Sequence, residues 1–350
     1  MDFLFTFFGL YIAIKLTDHF LASKGYKGKE SDHFNGTVFY SYGIENPEKS
    51  GKPAMSKRAI LKWMMSRKTH SWKWRNNSNT TKPASRVEGD ELVVTFVNHS
   101  TLLIQTQGLN ILTDPIWSKR ASPFAFLGPA RYCEPGIAFE DLPHIDLVLI
   151  SHNHYDHMDT ETLARIRGEW EAPILAGLGN AAYLMARHIS GVHDMDWWDR
   201  FEHKGITIVC APGQHFSSRS LSDRNKTLWC GFVIETKGGD IYFAGDTGYG
   251  PFTETLRSHY KEFRLALLPI GAFRPEWFMG GVHTSPAQAM QMHQELHVKT
   301  SIGIHHSTFH LADDDQDEPR ERIIELVRQS AEPKPNFLIL DNGESATIEK

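Results

Sequence analysis

From Leu92 onward the chain alternates between short apolar runs and polar breaks rich in glycine and proline. LVVTFV (92–97), TLLIQT (101–106) and LNILTD (109–114) read as strands, the last two separated by the turn pair Gln107-Gly108. IDLVLI (145–150) is apolar without interruption, the pattern of a strand covered on both faces. ITIVCA (206–211), WCGFVIET (229–236), DIYFAGD (240–246), LALLPI (265–270) and SIGIH (301–305) follow. Lys237-Gly238-Gly239 predicts a hairpin between two of them, and Asn342-Gly343 inside FLILDNGESATI (337–348) predicts another. Helical spacing covers Thr160 to Gly168, Asn180 to His188, Ser285 to Leu296 and Pro319 to Ser330. The third of these starts with Ser285 as N-cap and Pro286 at the first helical position. Strands in two groups, with helices between and outside them, predict a layered α/β sandwich. There is no internal repeat period; residues 92–246 and 247–350 make two halves of loosely similar strand content.

The N-terminal quarter reads differently. FLFTFFGLYIAI (Phe3 to Ile14) is an apolar run of 12 residues. As a helix it reaches about 18 Å, short of the roughly 30 Å of a bilayer core. It lacks a basic leading region and a small-residue cleavage site, so a secretory signal is a poor fit. Lys15, Asp18 and His19 then share one helical face, and residues 1–22 are expected to be an anchor or hook. A core helix, an interface helix and a single span remain open. Residues 23–88 read as a basic, irregular arm, and 89–350 as the catalytic domain. Lys52 to Arg75 holds eight basic residues and no acidic one, interleaved with Trp63, Met64, Met65, Trp72 and Trp74. That mixture suits an anionic membrane surface. It also suits RNA or an arm wrapped on the domain with its tryptophans packed.

Composition narrows the field. At 350 residues and 41% hydrophobic, the chain can bury one large core or two smaller ones. The net charge is −5, and with the basic stretch set apart the remainder is more acidic still, which argues against a nucleic-acid partner. Cys133, Cys210 and Cys230 form no C-x-x-C pair, so neither a disulfide framework nor a thiolate metal site is expected. Unpaired thiols suit a reducing compartment, and the expected location is membrane-associated with a cytoplasmic catalytic domain.

Nineteen histidines stand out, and three of them fall in SHNHYDHMD (151–159), directly after the 145–150 strand. In an extended loop His152 and His154 point the same way and can converge on one ion. Asp156 and His157, past the turn, can face a second. Later strands deliver more ligand types: IVCAPGQH ends at His215, IYFAGD at Asp246 and SIGIHH at His305 and His306. Imidazole and carboxylate without thiolate favour zinc, then iron or manganese. Strand ends at one edge are where α/β sheets carry their sites.

H-x-H-x-D-H, a lone histidine, GDTGY and a late histidine after a strand resemble the metallo-β-lactamase fold hydrolases. SHNHYDH, LTDPIWSKRASP, FAGDTGY, PIGAFRPEWFM and IHHSTF are more closely similar to its N-acyl-phosphatidylethanolamine-hydrolysing phospholipase D branch, over roughly residues 85–345. The resemblance implies a four-layer αββα sandwich with two zinc ions (Zn2+) at its open edge. It implies His152, His154 and His215 around one ion, Asp156, His157 and His305 around the other, and Asp246 bridging them. It also implies a phospholipid substrate at a membrane surface, phosphatidic acid and an N-acylethanolamine as products, and a homodimer. His306 departs from the pattern, which has a bulky aromatic there, and is expected to line the substrate pocket, with competition as a metal ligand the alternative.

Two zinc ions about 3.5–4 Å apart lower the pKa of a shared water toward about 7. Attack of that bridging hydroxide on phosphorus is the expected chemistry, with Asp156 both binding metal and orienting the nucleophile. His283, in GGVHTSP just before a helix, is placed to meet a phosphate or to protonate the leaving oxygen. Tyr155 is expected to touch substrate; His99 in NHST and Asp114 in LTDP are expected to orient ligands. A soluble hydrolase of the same fold, acting on a lactone, a thioester or a sugar phosphate, is the competing expectation.

Overall fold

The computed structural model describes residues 13–42, 57–67, 70–77 and 82–350. Most of the apolar run 3–14 and parts of the basic stretch, Lys52 and Lys68 among them, therefore lie outside the described residues. Among the described residues no helix is long and apolar enough to cross a membrane.

Fourteen strands form two sheets of seven. The first sheet holds β1 (Leu92–Asn98), β2 (Thr101–Thr106), β3 (Leu109–Thr113), β4 (Leu147–Ile150), β5 (Ile174–Gly177) and β6 (Val192–Met195) in sequence order. The second holds β7 (Arg200–His203), β8 (Ile206–Ala211), β9 (Gly231–Glu235), β10 (Ile241–Phe243), β11 (Phe263–Pro269), β12 (Val298–Ile304) and β13 (Phe337–Leu338). The last strand, β14 (Ser345–Thr347), returns to the first sheet beside β1.

The period of two along the strands explains the layering. Leu147 and Leu149 join the core between the sheets, with Leu265, Leu267, Ile302 and Ile304 from the other side. Val148 and Ile150 face the opposite way, against Leu163 and Ile166 of α2 (Thr160–Trp170) and Tyr183 and Leu184 of α3 (Asn180–Met185). Ala266 and Leu268 likewise meet Phe252 and Leu256 of α4 (Phe252–His259) and Ala289 and Met292 of α6 (Pro286–Glu295). The result is a four-layer αββα sandwich. Asp159 caps α2 by accepting from the Glu161 backbone, and Ser285 and Gln288 form a reciprocal capping box on α6.

Four expectations need correction. The hairpin around Asn342-Gly343 does not form: β13 pairs with β12 in the second sheet and β14 with β1 in the first. Instead of closing a hairpin, Gly343 donates its N–H to Phe96 O at 2.8 Å as the chain crosses between sheets. The halves divide between β6 and β7, not at 246/247. The strands β5, β6 and β7 and the helices α4, α5 (Glu276–Met279) and α1 (Lys57–Ser66) were not expected. α1 sits in the arm read as irregular, where KRAILKWMMS is built of good helix formers. The fourth helix is α7 (Glu318–Gln329), one residue earlier than its spacing predicts.

The arm packs on the domain in several places. Phe34 and Phe39 are fully buried in the inter-sheet core. Trp72 is buried and donates from Nε1 to Asp314 O, and Trp63 stacks on Phe278 with ring centroids 4.9 Å apart. Trp74 stays half exposed, and Leu61, Met64 and Met65 of α1 face solvent.

Candidate metal centre

The ends of four strands deliver the site. β4 ends at Ile150, and the turn 151–159 follows, closed by the N–H groups of His157 and Met158 donating to His154 O at 3.2 and 2.8 Å. β8 leads to His215, β10 to Asp246 and β12 to His305. Gly245 allows the close approach that seats Asp246: a Cβ there would lie 2.4 Å from Ser151 Cβ. His99, Asp114 and His305 all hold positive φ values of 50°, 34° and 60°. Such backbone is strained for residues other than glycine and is pinned here by hydrogen bonds, His305 N–H donating to His99 O at 2.8 Å and Asp114 N–H to Leu149 O at 2.8 Å.

Two groups of ligand atoms result. In the first, His152 Nε2 lies 2.7 Å from His154 Nδ1, which lies 3.3 Å from His215 Nε2. The second joins Asp156, His157 and His305, with His99 as a fourth member. Asp246 links them. Its Oδ2 is 3.1 Å from His157 Nε2, 3.0 Å from His305 Nε2 and 3.9 Å from His215 Nε2.

The outer nitrogens are held from behind. His157 Nδ1 donates to Asp114 Oδ2 at 2.7 Å and His215 Nδ1 to Val282 O at 2.7 Å. His152 Nδ1 meets Ser151 Oγ at 2.9 Å, and Ser151 donates its N–H and its hydroxyl to Asp114. These contacts leave the inner nitrogens free to face an ion.

Electrostatics agree with a cation at this place. Burial, aided by neighbouring imidazoles, holds His152 well below the usual histidine range, and burial holds His154 down at about 3. Both are held in the neutral form, with His152 Nε2 and His154 Nδ1 turned toward one another at 2.7 Å. In the second group burial lowers His305, but the carboxylates of Asp246 and Asp156 outweigh it and raise it to about 9. His157 is raised well above the usual range by Asp246, Asp156 and Asp114 against its burial. Two protonated imidazoles thus supply the positive charge the buried carboxylates need. Asp246 Oδ1 is buried without a hydrogen-bond partner. Lone pairs, carboxylates and an orphaned oxygen around one point are a donor set that fits divalent cations.

The remaining expected residues fall as follows. His99 Nε2 contacts Asp156 Oδ2 at 3.0 Å and so sits inside the second group. His283 Nδ1 is buried, unpartnered and 3.8 Å from Asp246 Oδ2, and burial holds the ring at about 4. Tyr155 lines a cavity of about 530 Å³ beneath the helix at 13–21 and donates its hydroxyl to Arg219 O. His306 is not brought to the cluster. It stacks on Phe96 with centroids 5.2 Å apart, contacts Ser307 Oγ and lines a separate cavity with Cys133 and Arg320. Neighbours at a strand end point to opposite sides, so only one of the two histidines can face the edge.

Two residues at the site escaped the sequence reading. Ser151 opens the histidine-rich turn, and its place beside His152 was the available signal. Arg219 reaches the turn from SSRS, a stretch with no periodicity to mark it.

Comparison with known proteins gives the same assignment. Residues 109–306 match the beta-lactamase superfamily domain. The chain is 32% identical over 339 residues to the N-acyl-phosphatidylethanolamine-hydrolyzing phospholipase D 1 of Caenorhabditis elegans, covering 89% of this chain and 92% of that one. It is 27% identical over 256 residues to a metal-dependent hydrolase of Methanopyrus kandleri, covering 72% of this chain and 98% of that one. The crystal structure of isothiocyanate hydrolase from Delia radicum gut bacteria shares the fold, with a TM-score of 0.58 at 21% identity over 74% of this chain and all of that one. The chain belongs to the beta-lactamase superfamily, as a metal-dependent hydrolase of the metallo-β-lactamase fold.

Proposed function

We propose that the chain is a zinc-dependent phosphodiesterase of the phospholipase D type. It hydrolyses N-acyl-phosphatidylethanolamine to phosphatidic acid and an N-acylethanolamine. His152, His154 and His215 would hold one ion and Asp156, His157 and His305 the other, with Asp246 placed between the two groups. Bound zinc ions supply Lewis acidity toward phosphoryl oxygens and make water a competent nucleophile at neutral pH.

The chain's own residues do the rest. Asp156 is kept ionised: burial opposes this, but His157, His305 and His99 outweigh it. Its carboxylate can therefore accept a hydrogen bond from attacking water and orient it, and the contacts with His99 and His305 fix its direction. His283 is neutral at pH 7, which suits a hydrogen-bond donor to a phosphoryl oxygen better than a source of the leaving group's proton. Tyr155 forms a wall between the metal turn and the cavity at helix 13–21, where Ala13, Ile14, Leu21 and Leu221 suit an acyl chain. Exposed Leu16, Phe20 and Leu221 on that side, and Leu61, Met64, Met65 and Trp277 around α1 and α5, suit a membrane surface.

The observation that carries the lipid assignment is the likeness to the worm phospholipase D, which extends over 89% of this chain rather than the hydrolase domain alone. The test is incubation of the purified, zinc-loaded protein with mixed micelles of N-acyl-phosphatidylethanolamine, beside an Asp156→Asn control, with products read by mass spectrometry. Equal amounts of phosphatidic acid and N-acylethanolamine, absent from the control, are expected. Cleavage of a lactone, thioester or sugar phosphate with no lipid product would move the assignment to a soluble hydrolase of the same fold.

A further inference from the structure

Arg219 lies in the irregular stretch 212–230 between β8 and β9 and is buried, with 6% of its surface exposed. Its guanidinium has no carboxylate partner among the described residues. Nη1 donates instead to two backbone carbonyls, Asn153 O at 3.0 Å and Met158 O at 2.8 Å. The group lies 3.9 Å above the Tyr155 ring and 5.0 Å from that of Tyr183. Tyr155 Oη donates back to Arg219 O at 2.8 Å, and Ser218 N–H donates to Asn153 Oδ1 at 2.8 Å.

The two carbonyls bracket His154, Tyr155, Asp156 and His157, the segment with three of the seven ligands named above. A buried guanidinium is costly, and an apolar side chain would fill the same space at less expense. What an apolar side chain lacks is a nitrogen with two N–H donors, held in a fixed plane, able to meet two carbonyls at once. The base from which Arg219 works is itself fixed. Asp223 Oδ1 accepts from the backbone N–H of Arg219 at 3.0 Å and of Ser220 at 2.8 Å. Asp223 Oδ2 accepts from Ser23 N–H at 2.8 Å, and Leu221 N–H donates to Asp18 Oδ1 at 2.7 Å. His215 belongs to this same stretch, so the guanidinium joins the two loops that furnish the first group of histidines.

We propose that Arg219 is a positioning residue of the metal centre. By bridging Asn153 O and Met158 O it sets the pitch of the turn that aims His154, Asp156 and His157, and it locks that turn to the loop of His215. Its importance for hydrolysis rests on the function proposed above; its hold on the turn does not.

The test uses the full chain with Arg219→Ala and Arg219→Lys. Lysine keeps the charge and most of the stem, loses the planar group, and serves as the judge if the alanine variant fails to fold. Hydrogen–deuterium exchange is followed in metal-free protein. The amides of 151–159 are expected to exchange about 10-fold faster in Arg219→Ala, with Arg219→Lys intermediate, while β1 to β3 keep their rates. Added guanidinium ion is expected to restore protection in the alanine variant. Zinc affinity, read by competition with a chromophoric chelator, is expected to fall about 10- to 100-fold for at least one ion. Unchanged exchange over 151–159, or acceleration spread evenly over both sheets, overturns the proposal. If the unaltered protein takes up no zinc, the proposed function fails, and the exchange data still decide the role of Arg219.

Discussion

Asp114 and His157 meet in a fully buried contact, Nδ1 of the ring donating to Oδ2 of the carboxylate across 2.7 Å. The same carboxylate accepts the N–H and the hydroxyl of Ser151, so one side chain at the end of β3 fixes both the tautomer of His157 and the start of the metal turn. Asp114→Asn keeps the volume but turns one acceptor oxygen into a donor, so one of the three donors loses its partner. Zinc affinity is expected to drop about 10- to 100-fold, measured by chelator competition. Unchanged affinity would remove Asp114 from the orienting role.

Zinc uptake should be coupled to protons. His305 carries a proton up to about pH 9 in the metal-free chain and must lose it to become a ligand. His157, raised in the same direction, must lose one too. Affinity is therefore expected to rise with pH through the neutral range toward about 9, where His305 gives up its proton. Calorimetry at pH 7.5 in two buffers of different ionisation enthalpy reads the released protons directly. No buffer dependence would show that these two rings are neutral before zinc arrives.

His283→Ala separates substrate contact from metal binding. Loss of one hydrogen-bond donor to the developing charge is expected to lower kcat about 100- to 1000-fold with both zinc ions retained. Loss of zinc in the variant would instead make His283 a ligand, since it also groups with His215 and Asp246.

His33 supplies a test of the arm, away from the metal. Its ring lies between Asp32 at 2.6 Å and Asp196 at 2.7 Å and stacks on Trp197. Burial lowers its pKa, but the two carboxylates outweigh it, and the net direction is upward. A raised folded value means the stabilisation is complete below the unfolded value near 6.5 and disappears as pH climbs through the folded one. His33→Gln is expected to cost about 1 kcal/mol at pH 5.5 and less at pH 8.5, read from thermal melts. An equal cost at both pH values would make the contact a neutral one.

The strands that were legible beforehand share a property. β4, β8, β11 and β12 are buried along most or all of their length, and each carries a run of apolar residues toward its C-terminal end. By contrast β6 (VHDM) and β7 (RFEH) lie at the outer edges of the two sheets and carry polar, charged residues. Edge strands of that kind are held by pairing with a neighbour and leave no hydrophobic period to read.

Local chemistry along the chain was enough to identify the layered fold and to single out His152, His154, Asp156, His157, His215, Asp246 and His305, because each lies in a segment that leaves the end of an apolar strand. It was not enough to place Asn342-Gly343. A turn signal describes a few residues, whereas the choice of β12 or β1 as partner is a contact between segments far apart in the chain. The same holds for Arg219, whose partners Asn153 and Met158 lie 66 and 61 residues away. The reach of a buried guanidinium is set by packing, which brings SSRS under the histidine turn and leaves His306 on the far side of its strand end.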